Sequence, residues 1–259
     1  MRVGTGTKMN KYTKNINRIE FVITYACTGK CKHCSEGDHL TKGEHIDGNK
    51  AVEMIKKVCE MFEIKTLMTF GGEPLLHSDE VCRIHTAATE MKIPKRQIIT
   101  NGFFSNDEAK IKETAKKLSK SGVNEILLSA DAFHQETIPL ETVKFFANEI
   151  KKVSIPIKIS PAWLVSKTAE NIYNTKTREI LEEFNSMGIS AGSGNIIFPW
   201  GNAKKYLKEF FDSNIEYVNP YEEDPKDVRT LSVDPNGDVL GGNIYRTDIM
   251  DIINNYKGE

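Results

Sequence analysis

The sequence predicts an α/β fold: a partial (β/α)6 TIM-like barrel with parallel strands, plus a short C-terminal β-hairpin extension. Three observations predict it. Short apolar, β-branched runs alternate six times with longer stretches of helical period. Such alternation builds a parallel sheet through right-handed crossovers. Six units fall short of the eight that close a full barrel. After the sixth helix the rhythm gives way to hairpin turn chemistry.

The strands are expected at residues 19–25, 66–70, 97–100, 125–130, 156–160 and 195–198. Helices are expected between and after them at 49–62, 79–91, 106–121, 140–152, 170–187 and 202–211. In the first helix Ala51, Met54, Ile55, Val58 and Phe62 recur at three- and four-residue steps and so share one face. Ser105 lies three residues before Glu108, a capping-box spacing, and Gly122 and Gly188 follow the last turns of their helices. Residues 229–233, the turn Asp234-Pro235-Asn236-Gly237 and residues 238–240 are expected to form the hairpin. The chain divides into an N-terminal segment 1–18, a barrel 19–212 and an extension 213–259.

Composition narrows the function classes. With 259 residues, 39% hydrophobic, 27% charged and a net charge of −1, the chain has the balance of a soluble globular protein. No global field favours nucleic acid or an anionic membrane. The first twenty residues lack the apolar core of a signal peptide, and no apolar run spans a bilayer. A cytoplasmic location follows, where thiols stay reduced, so the five cysteines read as metal ligands plus spares. Cys59 and Cys82 read as small buried hydrophobes.

In a parallel α/β barrel the loops after the strands converge on one face. Here those loops carry Cys27-Thr28-Gly29-Lys30-Cys31-Lys32-His33-Cys34, then Gly71-Gly72-Glu73-Pro74, Asn101-Gly102, Ser129-Ala130-Asp131, Ser160-Pro161 and Pro199-Trp200-Gly201. Three thiolates at Cys27, Cys31 and Cys34 make a metal site one protein ligand short. A three-thiolate iron–sulfur cluster fits that set, with an iron left open for chemistry. A structural zinc site completed by His33 or His39 is the other reading, although no second cysteine knuckle accompanies it. In Gly71–Pro74 the glycines permit close backbone approach and Pro74 stiffens the exit.

The cysteine triplet after the first strand, with Gly71-Gly72-Glu73-Pro74 after the second, resembles the radical S-adenosylmethionine (SAM) superfamily. The resemblance implies a [4Fe–4S] cluster on Cys27, Cys31 and Cys34, whose open iron takes the amino and carboxylate groups of SAM. It further implies reductive cleavage of SAM to a 5′-deoxyadenosyl radical, which abstracts hydrogen from a substrate. Gly71, Gly72, Glu73 and Pro74 match the loop expected near the SAM ammonium group. His33 matches a position where the family carries an aromatic ring near the adenine; a ligand role stays open. Ser129 and Asp131 resemble the ribose-contacting position, or else cap the following turn. Asn101 is a polar SAM contact or an ordinary Asn-Gly turn; Ser160 and Lys144 are further candidates.

Mouth residues in this reading are His134, Trp163, Trp200 and the extension. Residues 233–245 are similar to the start of the extension in peptide-modifying members, yet no cysteine follows Cys82, which implies a single cluster. The substrate expected on that analogy is a ribosomal peptide or protein side chain, with flavodoxin or ferredoxin as reducing partner. A glycyl-radical-enzyme activase and a small-molecule enzyme are the alternatives. A non-enzymatic zinc or Fe–S redox or interaction module is the competing class.

Overall fold

The computed structural model describes residues 10–39 and 42–259. Half of the expected N-terminal segment, residues 1–9, therefore lies outside the described residues. The strands are β1 (Arg18–Val22), β2 (Thr66–Phe70), β3 (Lys95–Thr100), β4 (Glu125–Leu128), β5 (Ile157–Ile159), β6 (Ala162–Trp163), β7 (Asn195–Ile196), β8 (Thr230–Val233), β9 (Asp238–Val239) and β10 (Gly242–Asn243). Strands β1 to β5 lie side by side in chain order, all parallel, with Ile19 opposite Leu67 and Ile98 opposite Ile126. Five of the six expected strands thus form the sheet within one or two residues of their places at most ends. The first, fourth and fifth end earlier, where the backbone turns into the site loops.

The helices are α1 (Gly48–Met61), α2 (Ser78–Glu90), α3 (Glu108–Lys120), the short α4 (Ala132–Gln135), α5 (Leu140–Lys152), α6 (Ile172–Ser186), α7 (Gly201–Tyr206) and α8 (Ile249–Asn255). Their apolar faces cover the sheet: Ala51, Met54, Ile55 and Val58 of α1 are buried in one cluster with Ile19, Phe21, Leu67 and Ile98 of the strands. The cap of α3 is Asp107, which accepts from the Ala109 amide at 2.8 Å; Ser105 instead receives the Asp107 amide at 3.1 Å. An Asp next to the first turn outcompetes a serine two residues farther away. Gly122 and Gly188 both sit at positive φ after their helices, +85° and +71°. That left-handed position is the one glycine fills without strain.

Two expectations about the barrel's ends need correction. Residues 195–198 yield only the two-residue β7, which pairs in parallel with β6 in a separate small sheet. The segment does run beside strand five: Ile159 donates to the Ser190 carbonyl and accepts from Gly192. Pro161 breaks the ladder, because it has no amide to donate. The strand that completes the six-stranded sheet is β8, parallel to β1 on its outer edge, with Arg18 opposite Thr230.

The C-terminal hairpin is also made differently. The turn at Asp234 forms, but β8 spends its hydrogen bonds on β1, so the antiparallel pair is β9 with β10. The extension has no core of its own. Leu231, Val233, Val239, Ile249, Ile252 and Ile253 belong to the same buried cluster as Ile19 and Phe21. Among the described residues no helix is long and apolar enough to cross a membrane.

Candidate functional site

The loops after β1, β2, β3 and β4 meet at the carboxyl ends of the strands and are tied to one another by hydrogen bonds. The Gly72 amide donates to the Thr24 carbonyl and the Glu73 amide to the Ala26 carbonyl, both at 2.8 Å. These two bonds zip the Gly71–Pro74 loop onto the chain entering Cys27. The glycines are required by that closeness. A Cβ at Gly72 would lie 2.1 Å from the Ala26 carbonyl oxygen. At Gly71 it would lie 2.6 Å from the Thr24 oxygen, and φ there is +138°. The close approach expected toward a ligand is first of all an approach to the cysteine loop.

Glu73 holds the next loop. Its fully buried carboxylate accepts from the Leu75 amide at 2.9 Å, the Thr100 hydroxyl at 2.7 Å and the Asn101 amide at 2.8 Å. Burial pushes the carboxyl up to about 7, against the hydrogen bonds from Thr100, Leu75 and Asn101 that favour its ionised form. Pro74 sets the first turn of the short 3-10 segment Pro74–His77. Asn101, placed by that clamp, donates through Nδ2 to Thr28 Oγ1 at 3.2 Å and to Cys27 Sγ at 3.6 Å.

Asp131 is also spent on protein donors. Its Oδ1 accepts from the Phe133 and His134 amides at 2.9 and 3.0 Å, capping α4. Its Oδ2 accepts from His134 Nδ1 at 2.9 Å and from the Ala162 amide at 2.8 Å. Burial works to raise this carboxyl, but the charge and hydrogen bonds of His134 outweigh it and hold it well below the usual range. Ser129 is half-buried at the end of β4, its amide bonded to the Thr100 carbonyl at 2.8 Å. No protein partner binds its hydroxyl among the described residues. Ser160 is likewise tied by its amide to Leu128, at 2.8 Å.

His33 stands between the cysteines and the Asp131–His134 pair, its ring 5.1 Å from Phe133 and 4.8 Å from His134. Its Nδ1 is buried with no partner, and burial lowers the ring to about 4. Lys144 is elsewhere: on α5 it pairs with Glu141 of its own helix at 2.8 Å and with Glu183 of α6 at 3.0 Å. Trp163 is not a rim residue either. It is 2% exposed, and its indole donates to the Ser193 carbonyl. Trp200, 45% exposed, does sit at the rim beside Phe198.

The three thiols are not gathered around one point as ligands of a single ion would be. Among the described residues, the only trio of His, Cys, Asp or Glu ligand atoms within 4.8 Å of one another is Cys31, His33 and His134. Three thiolates on one zinc would stand only about 4 Å apart, given Zn–S bonds near 2.3 Å. Cys27, Cys31 and Cys34 are not all drawn within 4.8 Å of one another. Burial raises all three thiols, Cys27 to about 11, so their thiolates require a cationic group to hold them. His39, the other zinc candidate, places Nε2 3.1 Å from Cys34 Sγ and anchors Nδ1 on the Tyr25 carbonyl.

A family model, the radical SAM superfamily, matches residues 21–212. The chain belongs to the radical SAM superfamily. That family uses a [4Fe–4S] cluster and SAM, and the open set of three spread thiols is consistent with both. By sequence the chain is 24% identical over 255 residues to GTP 3′,8-cyclase of Clostridium perfringens, covering 96% of this chain and 65% of that one. A probable GTP 3′,8-cyclase of Methanocaldococcus jannaschii is 27% identical over 156 residues, 59% of this chain and 50% of that protein. The chain therefore spans half to about two thirds of the length of these curated relatives. By fold it is similar to anSMEcpe with bound AdoMet, at TM-score 0.59 and 15% identity over 94% of this chain and 81% of that one. It is also similar to Streptococcus suis SuiB bound to precursor peptide SuiA, at TM-score 0.56 and 16% identity over 94% and 65%.

Several residues that build the site carried no motif. Thr100 completes the Glu73 clamp from inside β3. Asn202 donates its amide to the Cys34 carbonyl at 2.8 Å and its Nδ2 to the Cys31 carbonyl at 3.2 Å, tying α7 to the cysteine loop. Gly201 gave the available signal, since a Cβ there would lie 2.3 Å from the Ser35 oxygen.

Proposed function

We propose that this chain is a radical SAM enzyme that abstracts hydrogen from a peptide or protein side chain. The observation that carries the enzymatic reading is the spread cysteine triplet, zipped by two backbone bonds to the Gly71–Pro74 loop. Cys27, Cys31 and Cys34 would hold the cluster, which on reduction supplies the electron that cleaves SAM to a 5′-deoxyadenosyl radical.

The remaining roles belong to the chain. Gly71 and Gly72 let the two loops close, so the cysteine loop is positioned before any cofactor arrives. Glu73 fixes Asn101, and Asn101 directs an N–H toward Cys27, the kind of outer contact that tunes a metal ligand. Ser129, with its uncommitted hydroxyl at the end of β4, is the ribose candidate; Asp131 supports it by fixing the turn and orienting His134. His33 presents a flat ring to the adenine position. His134 and Trp200 line the mouth, where excluding water protects a radical from side reactions.

The peptide reading is supported by fold neighbours that include a precursor-peptide complex, and by an open rim bearing the exposed Trp200 and Tyr221. Fold likeness alone says little about substrate. A second reading, a small-molecule substrate such as a purine nucleotide, is favoured by the sequence relatives, which are GTP 3′,8-cyclases. The decisive experiment incubates the reduced holoenzyme and SAM with either a co-expressed candidate peptide or GTP. A mass shift on the peptide with 5′-deoxyadenosine formed in step supports the first reading. Consumption of GTP with the peptide untouched would replace it with the second. A radical lodged on a large partner protein would make the chain a glycyl-radical activase.

A further inference from the structure

A second group of metal-ligand side chains shares only one residue with the cysteine triplet. Ligand atoms of Cys31, His33 and His134 all lie within 4.8 Å of one another. His33 comes from the cysteine loop and His134 from α4, so two separate segments converge on the point. His33 Nδ1 is buried and has no hydrogen-bond partner. A buried polar atom without a partner is costly, and a ligand there would relieve it. His134 is already oriented: its Nδ1 is bonded to Asp131 Oδ2 at 2.9 Å, which leaves Nε2 for coordination. A carboxylate on the far nitrogen is the arrangement that fixes the tautomer and strengthens a histidine ligand.

We propose that Cys31, His33 and His134 form a zinc site in the cluster-free chain, and that zinc there excludes the cluster. One thiolate and two imidazoles are a zinc donor set, with water taking the fourth position. Tetrahedral zinc sets its ligands about 3.3–3.8 Å apart, so closing the trio takes only small side-chain rotations. Binding displaces the Cys31 thiol proton to solvent and leaves the site with one net positive charge, which the buried Asp131 carboxylate balances. Cys31 cannot then serve as a cluster ligand, so zinc occupancy and cluster assembly compete. The proposal goes beyond the enzymatic reading, because neither histidine is needed to hold the cluster.

The test titrates zinc into the full-length, cluster-free chain under anaerobic conditions, against a chromophoric chelator. Cobalt serves as a spectroscopic stand-in. The expected result is one zinc per chain, a tetrahedral cobalt spectrum with thiolate charge transfer, and at least about a hundredfold weaker binding in His134→Ala and His33→Ala. Asp131→Asn, which keeps all three ligands, weakens binding about 10–100-fold. Cys27→Ala and Cys34→Ala leave affinity within a few fold. Stoichiometric zinc blocks iron uptake in the wild type and no longer does so in His134→Ala. Circular dichroism verifies the fold of each variant, and the other histidine variant and Asp131→Asn decide if one fails. Zinc binding that ignores His33 and His134, or that is lost equally with Cys27 or Cys34, overturns the proposal and assigns zinc to the cysteines. Iron uptake by the zinc-free wild type tests the cluster reading independently.

Discussion

Substituting Gly72 by alanine is the sharpest probe of the loop architecture. The residue is not at positive φ, so the backbone conformation itself tolerates a side chain. The space does not. The new methyl would lie 2.1 Å from the Ala26 oxygen and 2.6 Å from its carbonyl carbon, and neither is a flexible side-chain end that could swing away. The loops must part, and the bonds from Gly72 to Thr24 and from Glu73 to Ala26 break with them. Overpacking costs about 1–3 kcal/mol, and two lost hydrogen bonds add about 1 kcal/mol each. The total of about 3–5 kcal/mol should lower the melting temperature by about 10 °C. Displacing the chain that enters Cys27 should also lower iron uptake. Thermal melting of the cluster-free chain and iron content after anaerobic reconstitution read the two effects. Gly192→Ala is the control, since its Cβ would meet nothing nearer than 3.6 Å, and should change stability by no more than about 0.5 kcal/mol. If Gly72→Ala matches Gly192→Ala in both measurements, the two loops are not coupled as described.

Two pH dependences follow from the buried carboxylates. Glu73 binds its proton more tightly in the fold than its ordinary value of 4.5, at about 7. Its stabilising contribution is therefore full at low pH and is lost as pH rises through 7. Urea unfolding from about pH 5 to about pH 8 should show the wild type losing stability relative to Glu73→Gln; parallel curves would show that Glu73 does not titrate there. Asp131 is shifted the opposite way, below its ordinary 3.8. Its contribution is present above that value and is lost as pH falls below it. The stability advantage of wild type over Asp131→Asn should therefore shrink from about pH 5 to about pH 3, and a constant difference would contradict the assigned charge.

The parallel sheet was legible in the sequence because β-branched runs and helical periods alternate without interruption through the fifth strand. Legibility failed where local chemistry met long-range competition. Residues 230–233 look like half of a hairpin, with a Pro-Asn-Gly turn beside them, yet the unpaired edge of β1 claims them. Tertiary pairing overrides a turn signal of that kind. At the site, the cysteines and glycines could be placed from spacing alone. What sequence could not show is the direction of each polar side chain. Glu73 and Asp131 are buried acids whose oxygens are filled by protein donors, so they organise the site's loops and leave the half-buried Ser129 hydroxyl without a protein partner among the described residues. Thr100 and Asn202 belong to no motif, because they act by contact with residues about thirty and one hundred and seventy positions away.

If Cys27, Cys31 and Cys34 hold the cluster that supports SAM cleavage, one anaerobic reconstitution shows it. The zinc-free chain is reconstituted with iron and sulfide, iron is counted, and SAM cleavage is followed after reduction. The account predicts about four irons per chain, 5′-deoxyadenosine and methionine on reduction, and the loss of both cluster and cleavage in Cys31→Ala. An iron-free chain that leaves SAM intact, or a Cys31→Ala variant that keeps cluster or cleavage, would contradict it.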